Sequence, residues 1–177
     1  MARILLVCST VDGHTLEICE RLRDLVQKAG HEASVEMLTS ESEPETGSFD
    51  SVVIGASIRY GKHRPAVAAF INKHLKLLEA TPSAFFSVNA VARKPDKKDP
   101  ETNPYVRKFL QNIAWRPRLI GIFGGQINYP SYGFFDKTMI RFIMWMTKGP
   151  TDPNGKFDFT DWDDVAAFAK KLISLQD

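Results

Sequence analysis

Arg3-Ile4-Leu5-Leu6-Val7-Cys8, running into Ser9-Thr10-Val11-Asp12-Gly13-His14-Thr15, is the stretch on which the fold turns. An apolar run that breaks into a hydroxyl-rich turn reads as a parallel strand buried on both faces. From Thr15 to Ala29, Leu16, Cys19, Leu22, Leu25 and Val26 recur at helical spacing, and Gly30 is a natural stop. The same alternation continues downstream. Strands are expected near Ala33–Leu38, Phe49–Gly55, Ser83–Val88 and Leu119–Phe123. A helix is expected over Pro65–Leu78, and a last one after Thr160, read as its N-cap, with Asp161, Asp163 and Asp164 in its first turn. Five strands alternating with helices predict an α/β doubly wound parallel sheet of order 2-1-3-4-5. Residues 90–104 read as a polar surface loop. Residues 125–158 are too long for a plain connection and read as an insertion within a single domain, 1–177.

Composition narrows the class. The chain has 177 residues, 44% apolar and 25% charged, enough for a real core and ordinary for a globular protein. No apolar run is long enough to span a bilayer, and no signal peptide is expected. Cys8 and Cys19 form no CxxC, and His14, His31, His63 and His74 have no metal-ligand spacing, so neither a disulfide scaffold nor a metal site is expected. The net charge of +2 hides an asymmetry: residues 93–148 hold eleven Lys/Arg against four Asp/Glu, while the rest is acidic. A basic block on an acidic body points to an anionic partner. No nucleic-acid motif is visible, so nucleic acid is not expected as that partner.

Ligands of this architecture bind at the carboxyl ends of the strands, near the switch point. In the first loop, Ser9, Thr10 and Thr15 bring hydroxyls to a helix start, and Gly13 permits close approach, with Val11, Asp12 and His14 between them. Such a loop holds a phosphate without Lys or Arg. It matches neither GxGxxG nor GxxxxGK[ST]. His14 itself reads as a solvated loop residue. The second loop, Ser57-Ile58-Arg59-Tyr60-Gly61, offers an aromatic wall for a flat cofactor, and Ser87-Val88-Asn89 ends the next strand.

Together these loops resemble flavodoxin-like flavoproteins that bind FMN. The match narrows further at Val53–Gly61, Pro82–Asn89, Val91-Ala92-Arg93-Lys94-Pro95, Trp115-Arg116-Pro117 and Thr160-Asp161-Trp162. Over essentially the whole chain, insertion included, it resembles the flavodoxin-like, menaquinone-dependent protoporphyrinogen IX dehydrogenase family of bacteria. The resemblance implies FMN-dependent oxidation of protoporphyrinogen IX to protoporphyrin IX in haem synthesis, with electrons passed to a membrane quinone. FMN would then lie on residues 9–15, 57–61 and 87–89. An NAD(P)H-quinone reductase or a non-enzymatic electron carrier on the same fold are the rival readings.

The residues add three expectations. Arg59, Lys62 and Arg64 would place positive charge near the flavin and favour its anionic reduced form. Arg59, Lys62, Arg93 and Lys94 are candidate partners for the substrate's propionates. In the insertion, a helix over Asp136–Lys148 sets Lys137, Arg141 and Lys148 opposite a broad face that includes Met139, Phe142, Ile143 and Met146. That helix suits an anionic membrane interface, its own domain or a second subunit, and the sequence leaves the three open. With a lipophilic acceptor implied, the expected location is peripheral, on the cytoplasmic side of the inner membrane.

Overall fold

The computed structural model describes residues 1–177. Strand β1 (Arg3–Ser9) pairs in parallel with β2 (Glu32–Met37) on one side and with β3 (Ser51–Arg59) on the other. The two-residue β4 (Lys62–His63) folds back antiparallel on the end of β3. Beyond β3 the sheet continues with β5 (Ala84–Asn89) and β6 (Leu119–Gly124), giving the order β2-β1-β3-β5-β6. With β4 set aside, this is the expected 2-1-3-4-5 arrangement. A separate antiparallel pair, β7 (Gln126–Asn128) and β8 (Lys156–Asp158), closes the segment that follows β6.

The helices are α1 (His14–Lys28), α2 (Pro65–Lys73), α3 (Leu75–Ala80), α4 (Pro104–Gln111), α5 (Phe134–Met146) and α6 (Trp162–Ser174). They cover both faces of the sheet because side chains alternate along each strand. Ile4, Leu6 and Cys8 pack with Ile18 and Leu22 of α1 and Val165 and Phe168 of α6. Leu5 and Val7 pack with Val67, Phe70 and Ile71 of α2, Leu78 of α3 and the fully buried Trp115.

Several boundaries differ from the sequence reading. The helix expected over 65–78 breaks at His74, whose ring is drawn aside by Glu43 Oε1 at 2.7 Å and Thr46 Oγ1 at 3.2 Å. Residues 90–104 are not an open loop: they hold 3-10 turns at Ala90–Arg93 and Pro95–Lys97, and Ala92 is buried. Helix α4 went unread; the Asn103 side chain caps it, accepting from the Tyr105 and Val106 amides, and Pro104 fills its first position. The cap of α6 is Asp161 rather than Thr160, with Asp161 Oδ1 accepting from Asp163 N and Asp164 N. Helix α5 starts two residues early, at Phe134, and ends at Met146, so Lys148, in left-handed backbone (φ +58°), lies past the helix rather than on its basic stripe.

Gly55 sits directly opposite Phe86 in the sheet register, and a Cβ there would lie 2.2 Å from the Phe86 ring. The ring is walled in by Phe123 and Phe168. Gly55→Ala is therefore expected to lower stability by about 1–3 kcal/mol through overpacking. Urea unfolding checks this, and an unchanged midpoint would contradict it.

Candidate functional site

The loop after β1 brings a helix start and several hydroxyls to the end of the sheet. Gly13 takes the left-handed region (φ +88°), and its amide donates to Thr10 Oγ1 at 3.0 Å. This bend aims the start of α1, whose first N–H groups have no intrahelical acceptor, at the end of the sheet. Ser9 Oγ, Thr15 Oγ1 and Ser57 Oγ are buried there with no hydrogen-bond partner. Unpaired buried hydroxyls are costly, and three at one end of the sheet suit a ligand with several acceptors. A phosphate monoester has that chemistry, so the residues present fit the phosphate of a flavin mononucleotide. Arg64 Nη1 donates to Thr10 O at 3.0 Å and steadies the loop from the neighbouring element.

Next to this loop opens a cleft of about 990 Å³, open solvent at its mouth included. Thr10, Asp12, His14 and Thr15 line it from the first loop, and Ser57, Ile58, Arg59, Tyr60 and Gly61 from the second. Val88 and Asn89 come from the end of β5, and Arg93 from the turn after it. Tyr60 (φ +50°) and Gly61 (φ +80°) both take left-handed backbone, which turns the Tyr60 side chain out to the mouth, 54% exposed. Ser9 and Ser87 lie buried outside the lining, Val11 is exposed, and Lys62 and Lys94 are exposed and do not reach the cleft.

The segment after β6 supplies the roof. Ile140, Ile143 and Met144 of α5 and Thr147 at its end line the cleft together with Ile127, Tyr132 and, from α4, Tyr105. The broad apolar face read from the sequence is thus divided. Ile143 turns inward, whereas Phe134 (89% exposed), Trp145 (70%), Met146, Phe142, Phe135 and Met139 remain exposed. Tyr105 was missed because its helix was missed, although Asn103-Pro104 was a usable start signal. Tyr132 lay in an aromatic run with no periodicity to orient it.

The charges fall differently from expectation. Arg59 Nη1 donates to Asp12 Oδ1 at 3.0 Å, and Nη2 donates to Asp136 Oδ2 at 2.5 Å. Burial works against the Arg59 charge, but Tyr60, Asp12 and Asp136 outweigh it and push the pKa above its ordinary value. Arg59 is thus a compensated cation rather than a free carboxylate receptor. Arg93 bonds only neutral groups, namely Ala90 O at 2.8 Å, Thr147 O at 2.8 Å and Thr147 Oγ1 at 3.0 Å. Burial pulls its pKa below the usual value, and no carboxylate offsets its charge. His14 is not a solvated residue: it is 6% exposed, edge-on to Trp162. Its Nε2 donates at 2.5 Å to the Thr160 hydroxyl, which gives its own proton to Gly124 O.

Fold and cleft together define a flavodoxin-domain protein, and the model of that family (Flavodoxin domain) matches residues 5–154. Among solved structures, oxidised flavodoxin 1 from Bacillus cereus superposes with a TM-score of 0.54 at 12% identity, covering 98% of both chains. A flavodoxin variant from Pseudomonas aeruginosa gives 0.56 at 13%, covering 99% of both. At that identity these two speak for the fold. Protoporphyrinogen IX dehydrogenase (quinone) of Escherichia coli K12 is 44% identical over 175 residues, covering 99% of this chain and 97% of that protein. The enzyme of the same name from Leishmania major is 40% identical over 174 residues, covering 98% of this chain and 75% of that protein. The chain belongs to the protoporphyrinogen IX dehydrogenase (quinone) family.

One titratable group beneath the site allows a pH test. His63 is buried against Phe85 and Phe109, 2.9 Å from Ser87 Oγ, and burial lowers its pKa to about 4. The unfolded chain binds a proton near pH 6.5 that the folded chain refuses until about pH 4. Stability therefore falls as pH drops through that window, by on the order of 3 kcal/mol. An NMR titration should find the His63 ring neutral at pH 5, and a midpoint near 6.5 would contradict the burial argument.

Proposed function

We propose that this chain oxidises protoporphyrinogen IX to protoporphyrin IX in haem synthesis, using FMN and passing electrons to a membrane quinone. The observation that carries the reading is the pairing of a phosphate-type strand end with an apolar roof over one cleft. The bare hydroxyls of Ser9, Thr15 and Ser57, with the first N–H groups of α1, hold the FMN phosphate. Residues 57–61, with Val88 and Asn89, flank the ring system. When bound, FMN supplies the two-electron acceptor that this set of side chains lacks.

The chain's own residues bind, orient and exclude water. Ile140, Ile143 and Met144 present apolar surface to a macrocycle, and Tyr60, Tyr105 and Tyr132 supply aromatic walls. Arg93, the cleft cation without a carboxylate partner, takes a propionate. On this reading the chain is one domain, and its insertion at 125–158 exists to roof the cleft and present α5. The outer face of α5 carries Phe134, Phe142, Trp145 and Met146 beside Lys137 and Arg141, and Lys148 follows in the turn past its end. Apolar side chains flanked by cations suit an anionic lipid surface, and on this reading the protein is peripheral, on the cytoplasmic side of the inner membrane, where a quinone resides.

One preparation tests both parts. The protein is loaded with FMN and mixed with anionic vesicles containing a menaquinone analogue, and protoporphyrinogen IX is added. Porphyrin fluorescence is expected to rise faster than autoxidation and only with quinone present; a rate equal to autoxidation would sink the enzymatic reading. The combined Phe142→Ser, Trp145→Ser and Met146→Ser variant should no longer float with the vesicles. Undiminished flotation would remove the membrane role.

A further inference from the structure

Arg59 ends β3 with its guanidinium between two carboxylates from distant parts of the chain. Nη1 reaches both oxygens of Asp12, at 3.0 and 3.3 Å, and Nη2 reaches Asp136 Oδ2 at 2.5 Å. Asp12 belongs to the loop after β1, and Asp136 to the first turn of α5. The Tyr60 hydroxyl donates to the other Asp136 oxygen. The Tyr60 and Tyr132 rings lie 5.4 and 5.9 Å from the guanidinium carbon. The Arg59 side chain is only 20% exposed, so this bridge is less screened than an open surface pair.

The two ends of α5 are fastened differently. At the C-terminal end, Met144 is buried with Ile127 and Tyr129, Arg93 donates to Thr147 O, and Tyr129 Oη donates to Pro150 O at 2.6 Å. At the N-terminal end no residue is buried, and Phe134 and Phe135 stand in solvent. The polar contacts there to the body of the sheet are those of Asp136 with Arg59 and Tyr60. One end is packed and the other is held by a charge bridge whose far side is the anion-binding loop.

We propose that Asp12, Arg59 and Asp136 couple that loop to the roof. A phosphate on the loop fixes Asp12, Asp12 fixes the Arg59 fork, and Arg59 holds the N-terminal end of α5 over the cleft. Arg59 and Asp136 are then positioning residues that close the substrate site once the cofactor is in place. The inference rests on the reading that FMN occupies the loop. The planar guanidinium can hold two carboxylates at once, which a lysine ammonium does poorly. Coupling is reciprocal: if FMN strengthens the docking of α5, loosening α5 must weaken FMN by the same factor.

Amide hydrogen exchange on the full-length protein, with and without FMN, tests this beside FMN affinity measured by fluorescence quenching. FMN should slow exchange over residues 134–140, and riboflavin, which lacks the phosphate, should not. Asp136→Asn should abolish the FMN-dependent slowing and weaken FMN by roughly fivefold or more. Arg59→Lys, which keeps the charge but not the fork, should do the same, and Asp136→Glu should recover part of both effects. Exchange over 134–140 that ignores FMN, or FMN affinity unchanged in Asp136→Asn, would overturn the coupling while leaving the proposed function standing. Failure of the native protein to bind FMN at all would overturn both.

Discussion

Strand β1 has β2 on one side and β3 on the other, so the chain must leave β1 and β3 for opposite faces of the sheet. The loops after these strands therefore diverge, and the ground between them cannot be closed by either one. Every other feature of the site follows from that parting. The left-handed Gly13 turns α1 so that its free N–H groups point into the gap. Ser9, Thr15 and Ser57, which a simple strand end would leave to water, are instead buried with nothing to bond. The left-handed Tyr60-Gly61 pair then turns the other loop outward and makes a mouth.

The segment after β6 answers the same constraint. The short antiparallel pairing of β7 with β8 brings the chain back to the sheet end from which it departed, and α5, held between them, lies across the gap. The closure is tight: a Cβ on Gly124 would lie 2.2 Å from Phe159 O, so the returning backbone needs a glycine there. His14, at the start of α1, bonds Thr160 just past β8, which ties the loop after β1 directly to the exit of the insertion. Arg59 and Arg93 hold the two ends of α5, one by charge and one by neutral acceptors, so Arg93 lines the cleft without a carboxylate partner.

The sheet and its first two loops were legible in the sequence because they rest on short-range signals. Apolar runs of strand length alternate with helical spacing, and a hydroxyl-rich turn sits at the end of the first run. The family resemblance was legible for the same reason, since its motifs are contiguous. What escaped depends on contacts made far along the chain. Arg59 looked like a free cation because nothing local predicts Asp136 beside it, and His14 looked solvated because Thr160 and Trp162 are distant in sequence. Helix periodicity found the apolar side of α5 but could not divide it, because only the position of the cleft decides that Ile143 turns in and Phe142 out. The helix α4 was lost between a charged stretch and Trp115, where its Asn103 cap outweighs a mixed composition.

On the proposed function, this chain recognises a flavin by its phosphate, through hydroxyls and a helix N-terminus rather than through lysines or arginines. The most direct measurement compares the affinities of FMN and riboflavin by fluorescence quenching, in the native protein and in a Ser9→Ala, Thr15→Ala variant. FMN is expected to bind the native protein far more tightly than riboflavin, and the double substitution to erase most of that difference while leaving riboflavin affinity unchanged. Equal affinity for FMN and riboflavin in the native protein would contradict it.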